Sequence, residues 1–238
     1  METAKYKRVL IKVSGEALAG DKHFGLDIPT VDAVAAQIAR CVRAGVEVAV
    51  VTGGGNYWRG LKDGGPMERT RADNIGMLAT VMNCLALSES LERCGIETRV
   101  QTAVEMREIA DLYTRREADR ELKAGRVVLL GCGTGNPFFS TDTGAVLRGT
   151  EIAADVIMLA KNIDGIYDSD PRKNPDAKKF DRLTYKEILD RGLTVIDSTA
   201  ASLSMDNKTP LLLFALSDPE NIYRACMGEQ VGTLVTAE

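Results

Sequence analysis

The chain has 238 residues, 45% of them hydrophobic and 27% charged, with a formal net charge of −4. That length and balance suit a soluble globular protein with a substantial core, as one large α/β domain or two small ones. The mild acidity argues against a nucleic-acid binder, which usually presents a basic face, but leaves small anionic ligands open.

Five cysteines (Cys41, Cys84, Cys94, Cys132 and Cys226) are odd in number and show no CxxC pair. Free thiols in a reducing cytosol are expected, in place of a disulfide framework or a zinc site. The opening "METAKYKRVLIKVSG" turns polar after a short apolar run, so neither a signal peptide nor a membrane span is expected there. A cytoplasmic α/β protein follows.

In chain order, "RVLIKV" at 8–13 reads as a strand ending in a turn at Ser14-Gly15. Thr30 precedes Val31, Val34, Ala35, Ile38 and Val42, the spacing of an amphipathic helix that stops at Gly45. "VEVAVVT" at 46–52 is a nearly continuous apolar strand, as in parallel sheets covered on both faces, and runs into Gly53-Gly54-Gly55. From Asp73, residues Met77, Thr80, Val81, Cys84 and Leu85 mark a long helix stopping before Gly95. Strands follow at 97–101 and 126–131, and between them Thr102…Glu105 and Thr114…Glu117 each have capping-box spacing. "VIMLA" at 156–160 is another buried strand, Thr184…Glu187 opens a helix, and strands at 210–216 and 232–236 complete the pattern. The most loop-like segments are 59–72 and 164–182. Alternation of strand and helix over the whole length predicts an α/β/α sandwich around a mainly parallel sheet, as a single domain with two lobes.

In such sheets ligands gather at the carboxyl ends of strands. Four strand ends carry unusual loops: "KVSGEAL" from 12, "TGGGNYWRG" from 52, "GCGTGNPFFSTDTGA" from 131 and "AKNIDGIYDSDP" from 160. One glycine-rich loop is weak, because tight turns need glycine anyway. Four at one edge are harder to ascribe to chance. Lys12, beside Ser14-Gly15, places a cation where the backbone turns, which suits a transferring phosphoryl group. Taken alone it would read as a solvated edge lysine. Gly53 to Asn56 and Arg59 supply backbone donors and a guanidinium able to grip phosphate oxygens in pairs.

In the loop from 131, Thr134, Asn136, Ser140, Thr141 and Thr143 offer polar groups, and Phe138 and Phe139 an aromatic wall. Ser140 or Thr141 can cap a helix starting near Asp142 and aim its free N–H groups at an anion. Asp142 has an ordinary electrostatic reason to sit in a first helical turn, yet it would oppose a phosphate unless it organises lysines or Mg²⁺. Asp73 reads either as an N-cap or as an acceptor for a ribose hydroxyl. Tyr167 and Asp170-Pro171 lie where an adenine or ribose could rest, although partial burial alone would account for the tyrosine.

Other chemistries fall away. No G-x-x-x-x-G-K-[ST] occurs, so the chain is not a P-loop enzyme. "DSDPRKNPDAKK" fails as a calcium loop, because Arg172, Lys173 and Lys179 stand where acid, glycine and glutamate are needed. His23, the sole histidine, lies in the polar "GDKHFGLD" and reads as solvated, which disfavours a Ser-His-Asp triad.

Taken together, K-x-S-G-E (12–16), G-G-G-N-x-x-R-G (53–60), A-D-x-x-G-M-L-A-T (72–80), G-T-G-N-P-F-F-S-T-D-T (133–143) and D-G-I-Y-x-x-D-P (164–171) resemble the bacterial UMP kinase family of the amino-acid kinase superfamily. The resemblance covers essentially the whole chain, and the loop at 133–143 is its most specific part. It implies an amino-acid kinase-like fold and transfer of the γ-phosphoryl group of Mg-ATP to UMP. Matched motif by motif, it implies that Lys12, Val13, Ser14, Gly15, Gly55, Arg59, Tyr167 and Asp170 serve ATP, with Lys161 and Asn162 both candidates for one further contact. It assigns Gly54, Asp73, Thr134, Gly135, Asn136, Pro137, Phe138, Phe139, Ser140 and Thr141 to UMP, and Lys12 and Asp142 to catalysis. Ser140 stands where many members carry threonine, which keeps the hydroxyl. The resemblance further implies an acceptor lobe over about 1–150, an ATP lobe over about 151–238, a homohexamer, and GTP and UTP as effectors. A relative that phosphorylates a carboxylate or carbamate, and a non-catalytic nucleotide-binding protein, stay open beside it.

Overall fold

The computed structural model describes residues 4–59 and 63–238. Gly60, last residue of the triple-glycine motif, and residues 1–3 of the opening stretch lie outside them. Among the described residues nine strands form one sheet. In chain order they are β1 (Arg8–Val13), β2 (Glu47–Thr52), β3 (Thr98–Thr102), β4 (Asp111–Leu112), β5 (Val127–Gly131) and β6 (Val156–Lys161), then β9 (Arg182–Thr184), β10 (Leu211–Ala215) and β11 (Thr233–Thr236). The spatial order is β4-β3-β5-β2-β1-β6-β10-β11-β9, and every pairing is parallel except β10 with β11. β7 (Ile166–Tyr167) and β8 (Lys179–Phe180) form a separate antiparallel pair.

Helices cover both faces, giving the α/β/α layering that the alternating pattern predicts. Val9, Ile11 and Val13 of β1 point to one layer, formed by α2 (Ile28–Arg43), α3 (Arg69–Arg93) and α8 (Glu220–Met227). Leu10 points to the other, formed by α4 (Arg115–Lys123), α5 (Thr141–Glu151), α6 (Tyr185–Asp190) and α7 (Ser198–Asp206). A short α1 (Gly15–Leu18) follows β1. Each fully buried Leu, Ile or Val contributes about 1.5–3 kcal/mol through apolar area removed from water. Because side chains alternate along a strand, Lys12 must share the face of Leu10, and Lys161 that of Leu159. Both lysines therefore emerge on the side where α5 packs.

Several helix starts differ from expectation. α2 begins at Ile28, because Asp27 caps it, accepting from the Thr30 amide at 3.2 Å. α3 begins at Arg69, four residues before Asp73; Arg69 and Asp73 pair one turn apart at 2.7 Å. Asp73 is thus inside the helix, and its reading as an N-cap is corrected. No helix follows Thr102, which ends β3 and turns its hydroxyl onto the Val104 carbonyl at 2.7 Å. Thr114 does cap α4, and Thr184 with Glu187 forms a full capping box on α6. The segment 164–182, expected as loop, holds β7 and β8 and the start of β9.

Packing of α5 onto the sheet depends on Gly149, where a Cβ would come within 2.6 Å of the buried Ile157 side chain on β6 and 3.6 Å of Leu10. Gly149→Ala should therefore cost about 1–3 kcal/mol by overpacking, despite alanine's better helix propensity. Urea denaturation measures it, and an unchanged midpoint would show that the helix is not held this closely.

Candidate active site

The loops after β1, β2, β5 and β6 converge at the carboxyl edge of the sheet. Glycine is needed there for close approach. A Cβ on Gly15 would lie 2.5 Å from the Gly53 carbonyl oxygen, and one on Gly54 would lie 2.7 Å from the Gly76 carbonyl oxygen of α3. Asn56 braces this junction from inside. It is buried, donates to the Gly25 carbonyl at 2.7 Å and exchanges side-chain hydrogen bonds with Asn83 at 2.8 and 2.9 Å.

Two of the cavities along this edge gather most of the expected residues. One, of about 610 Å³, is lined by Lys12, Ser14, Lys161, Asn162, Tyr167 and Asp170 among others, and its far wall runs from Arg191 to Val195. The second, of about 520 Å³, is lined by Gly54, Asp73, Thr134, Asn136, the two phenylalanines 138 and 139, Ser140 and Thr141. Each cavity thus gathers most of one group of expected residues. Gly55 and Arg59, grouped above with ATP, line the second cavity, while Val13, Gly15, Gly135 and Pro137 line neither. Arg59 holds Glu16 of α1 at 2.5 Å.

Between the cavities sits Asp142, 8% exposed. One of its oxygens is 3.1 Å from the Lys12 ammonium and the other 2.5 Å from that of Lys161. Lys161 also donates to the Val195 carbonyl at 2.5 Å. Burial alone would raise the Asp142 pKa and is the largest single influence. The two ammonium groups together overcome it and hold the carboxyl below its ordinary 3.8. Ser140, not Thr141, caps α5, accepting from the Thr143 amide at 3.0 Å.

Asp73 stands at the lip of the second cavity, where one oxygen accepts from Arg69 at 2.7 Å and from the Phe138 amide at 2.8 Å. Phe138 is in the left-handed region at φ 73°, and both it and Phe139 are exposed. Tyr167 donates to Asp164 at 2.8 Å, and Asp170 accepts from the Arg172 amide at 3.0 Å, closing a turn around Pro171. Trp58 and Arg69 also line the second cavity, and no sequence signal singled them out. Asp197 was equally silent. It caps α7 through the Ala200 amide at 2.9 Å while accepting from the hydroxyls of Ser140 and Thr143, so it ties α7 to the loop after β5.

Two cavities flanking a carboxylate clamped between lysines, at the carboxyl edge of a parallel sheet, define a phosphotransferase-like site. The amino acid kinase family model matches residues 7–219, and the chain belongs to that family. Among solved structures it is similar to a UMP kinase from Bacillus anthracis, with 38% identity, 98% of this chain and 97% of that one covered, and a TM-score of 0.94. It is similar also to a UMP kinase from Ureaplasma parvum, at 32% identity, 98% and 99% coverage and TM-score 0.91. A uridylate kinase from Archaeoglobus fulgidus matches at 30% identity, 95% and 99% coverage and TM-score 0.73.

A carboxyl held below 3.8 stabilises the fold above that pH and loses its contribution as pH falls through the lower folded value. Asp142→Asn should therefore lower the urea midpoint at neutral pH, and the gap to wild type should narrow as pH drops below 3.8. A gap that is constant with pH would contradict the double lysine pairing.

Proposed function

We propose that this chain is a UMP kinase, transferring the γ-phosphoryl group of ATP to UMP to give ADP and UDP. The observation that carries the reading is that Asp142 joins Lys12 and Lys161, on the wall of one nucleotide-sized cavity, to the Ser140–Thr141 start of α5 on the wall of the other. In the reaction an oxygen of the UMP phosphate attacks the γ-phosphorus, and the bond to the β–γ bridging oxygen breaks, leaving ADP. That phosphate is already ionised at neutral pH, so no strong base is required. The demand on the protein is to align two polyanions and offset their repulsion.

Lys12 and Lys161 supply positive charge on the wall of the first cavity, and Asp142 fixes the pair in place. The first cavity takes ATP, with Ser14, Lys161, Asn162, Tyr167 and Asp170 on its wall. The second takes UMP, with Asp73 toward the ribose and the loop 134–141 around phosphate and base. Arg59, on that wall, reaches phosphate once it leaves Glu16. Gly15 shapes the floor by letting the two glycine loops touch.

Mg²⁺ would enter with ATP and neutralise part of its phosphate charge. Among the described residues no three His, Cys, Asp or Glu side chains converge, and both Asp142 oxygens already face lysines. The side chains therefore do not fit a protein-held ion.

The proposal extends to an acceptor lobe near 1–150 with an ATP lobe near 151–238, a cytoplasmic homohexamer, and control by GTP and UTP. Supporting self-association, Leu78, Met82 and Leu85 form an apolar stripe on α3 that is 53%, 44% and 41% exposed. No helix among the described residues is long and apolar enough to cross a membrane.

A coupled assay with Mg-ATP and UMP, run beside acyl acceptors, tests the reading: UDP formation supports it, and turnover with an acyl acceptor alone would overturn it. Lys12→Ala should lower kcat about a hundredfold or more while KM for UMP changes little, and an unchanged kcat would sink the role given to Lys12. Asp73→Ala should raise KM for UMP about tenfold, since a charged hydrogen-bond acceptor is lost; an effect confined to ATP would count against the assignment.

A further inference from the structure

α5 contributes more than Asp142. Two turns further along it, Arg148 is 7% exposed and lines neither cavity. Its guanidinium faces the ring of Tyr113 at 4.1 Å and pairs with Glu151 at 2.7 Å. Tyr113 donates to the same Glu151 oxygen at 2.7 Å. Its other terminal nitrogen, Nη2, reaches back under the loop after β5 and donates to the carbonyls of Gly133 at 3.3 Å and Thr134 at 3.5 Å.

That loop needs holding. Cys132, Gly133, Gly135 and Phe138 have φ of 65°, 53°, 81° and 73°, all in the left-handed region. For Cys132 and Phe138 such a conformation is unfavourable and persists only where the surroundings over-determine it. The loop also rests directly on α5. A Cβ on Gly144 would lie 3.0 Å from the Gly133 Cα and 3.4 Å from the Thr134 nitrogen. Ser140 fastens the far end as the N-cap of α5.

We infer that Arg148 is a positioning residue for the acceptor site, its fork pinning the Gly133–Thr134 backbone onto α5 so that the loop is preformed for the nucleoside monophosphate. The inference rests on the reading of this loop as the acceptor loop. A planar fork can hold two backbone carbonyls and a carboxylate at once while stacking on a ring, whereas a lysine ammonium keeps the charge and loses that geometry. Arg148 acts through Gly133 and Thr134, which line the second cavity, and touches nothing in the first.

Two variants test this in the intact protein. Arg148→Lys keeps the charge. Gly144→Ala leaves the arginine untouched, favours the helix and pushes the loop off it. In each, hydrogen exchange at 132–140 should accelerate while 161–171 stays as in wild type. KM for UMP should rise about tenfold, the worth of one charge-assisted hydrogen bond, with KM for ATP within about twofold. A merely structural arginine would lower stability without splitting the two KM values. Unchanged exchange at 132–140, or KM values that rise together, would overturn the inference. If wild type forms no UDP, the functional reading fails, and exchange at 132–140 still decides whether Arg148 holds the loop.

Discussion

A carboxylate removed from water between two ammonium groups is the interaction on which the rest of this architecture depends. Burying Asp142 by itself would be unfavourable, and the pairing with Lys12 and Lys161 offsets that cost. The cluster keeps one positive charge in excess. Its geometry is not local. One lysine ends up on β1, the other on the adjacent β6, and the acid on a helix crossing above both. The parallel register of β1 with β6, the two-residue alternation of side chains and the contact of Gly149 with Ile157 all have to hold for the three charges to meet.

The glycines at this edge serve the same end. Gly15 against Gly53 and Gly54 against Gly76 let two loops and a helix approach more closely than any side chain would allow. Buried Asn56 and Asn83 then satisfy the backbone carbonyls that such an approach leaves without strand partners. The loop after β5 follows the same logic with left-handed residues, fixed by Ser140 at one end and by Gly144 and Arg148 at the other.

Much of this was legible in the sequence, for identifiable reasons. Long apolar strands such as 46–52 and 126–131 are buried on both faces, so their pattern states their role directly. Four polar loops at strand ends pointed to one edge, and the motifs resembled a single family. What was hidden is tertiary. Two- and three-residue strands such as β7, β8 and β9 are too short to show a period. The true start of α3 carries no capping side chain, so the sequence leaves Asp73 readable as an N-cap, whereas it is an interior residue answering Arg69 and Phe138. Asp197 and Arg148 lie in ordinary contexts, and their meaning comes only from what they reach across the fold.

On the proposed reading, Asp142 works by holding the two lysines for the transfer step rather than by binding either nucleotide. Single-turnover transfer of the γ-phosphoryl group from ATP to UMP, with both nucleotides saturating, tests it most directly in Asp142→Asn. The transfer rate should fall about a hundredfold or more, as when other preorganised charge is removed from a phosphoryl-transfer site. A transfer rate within about twofold of wild type under saturation would contradict it, and would return Asp142 to the ordinary electrostatics of a helix's first turn.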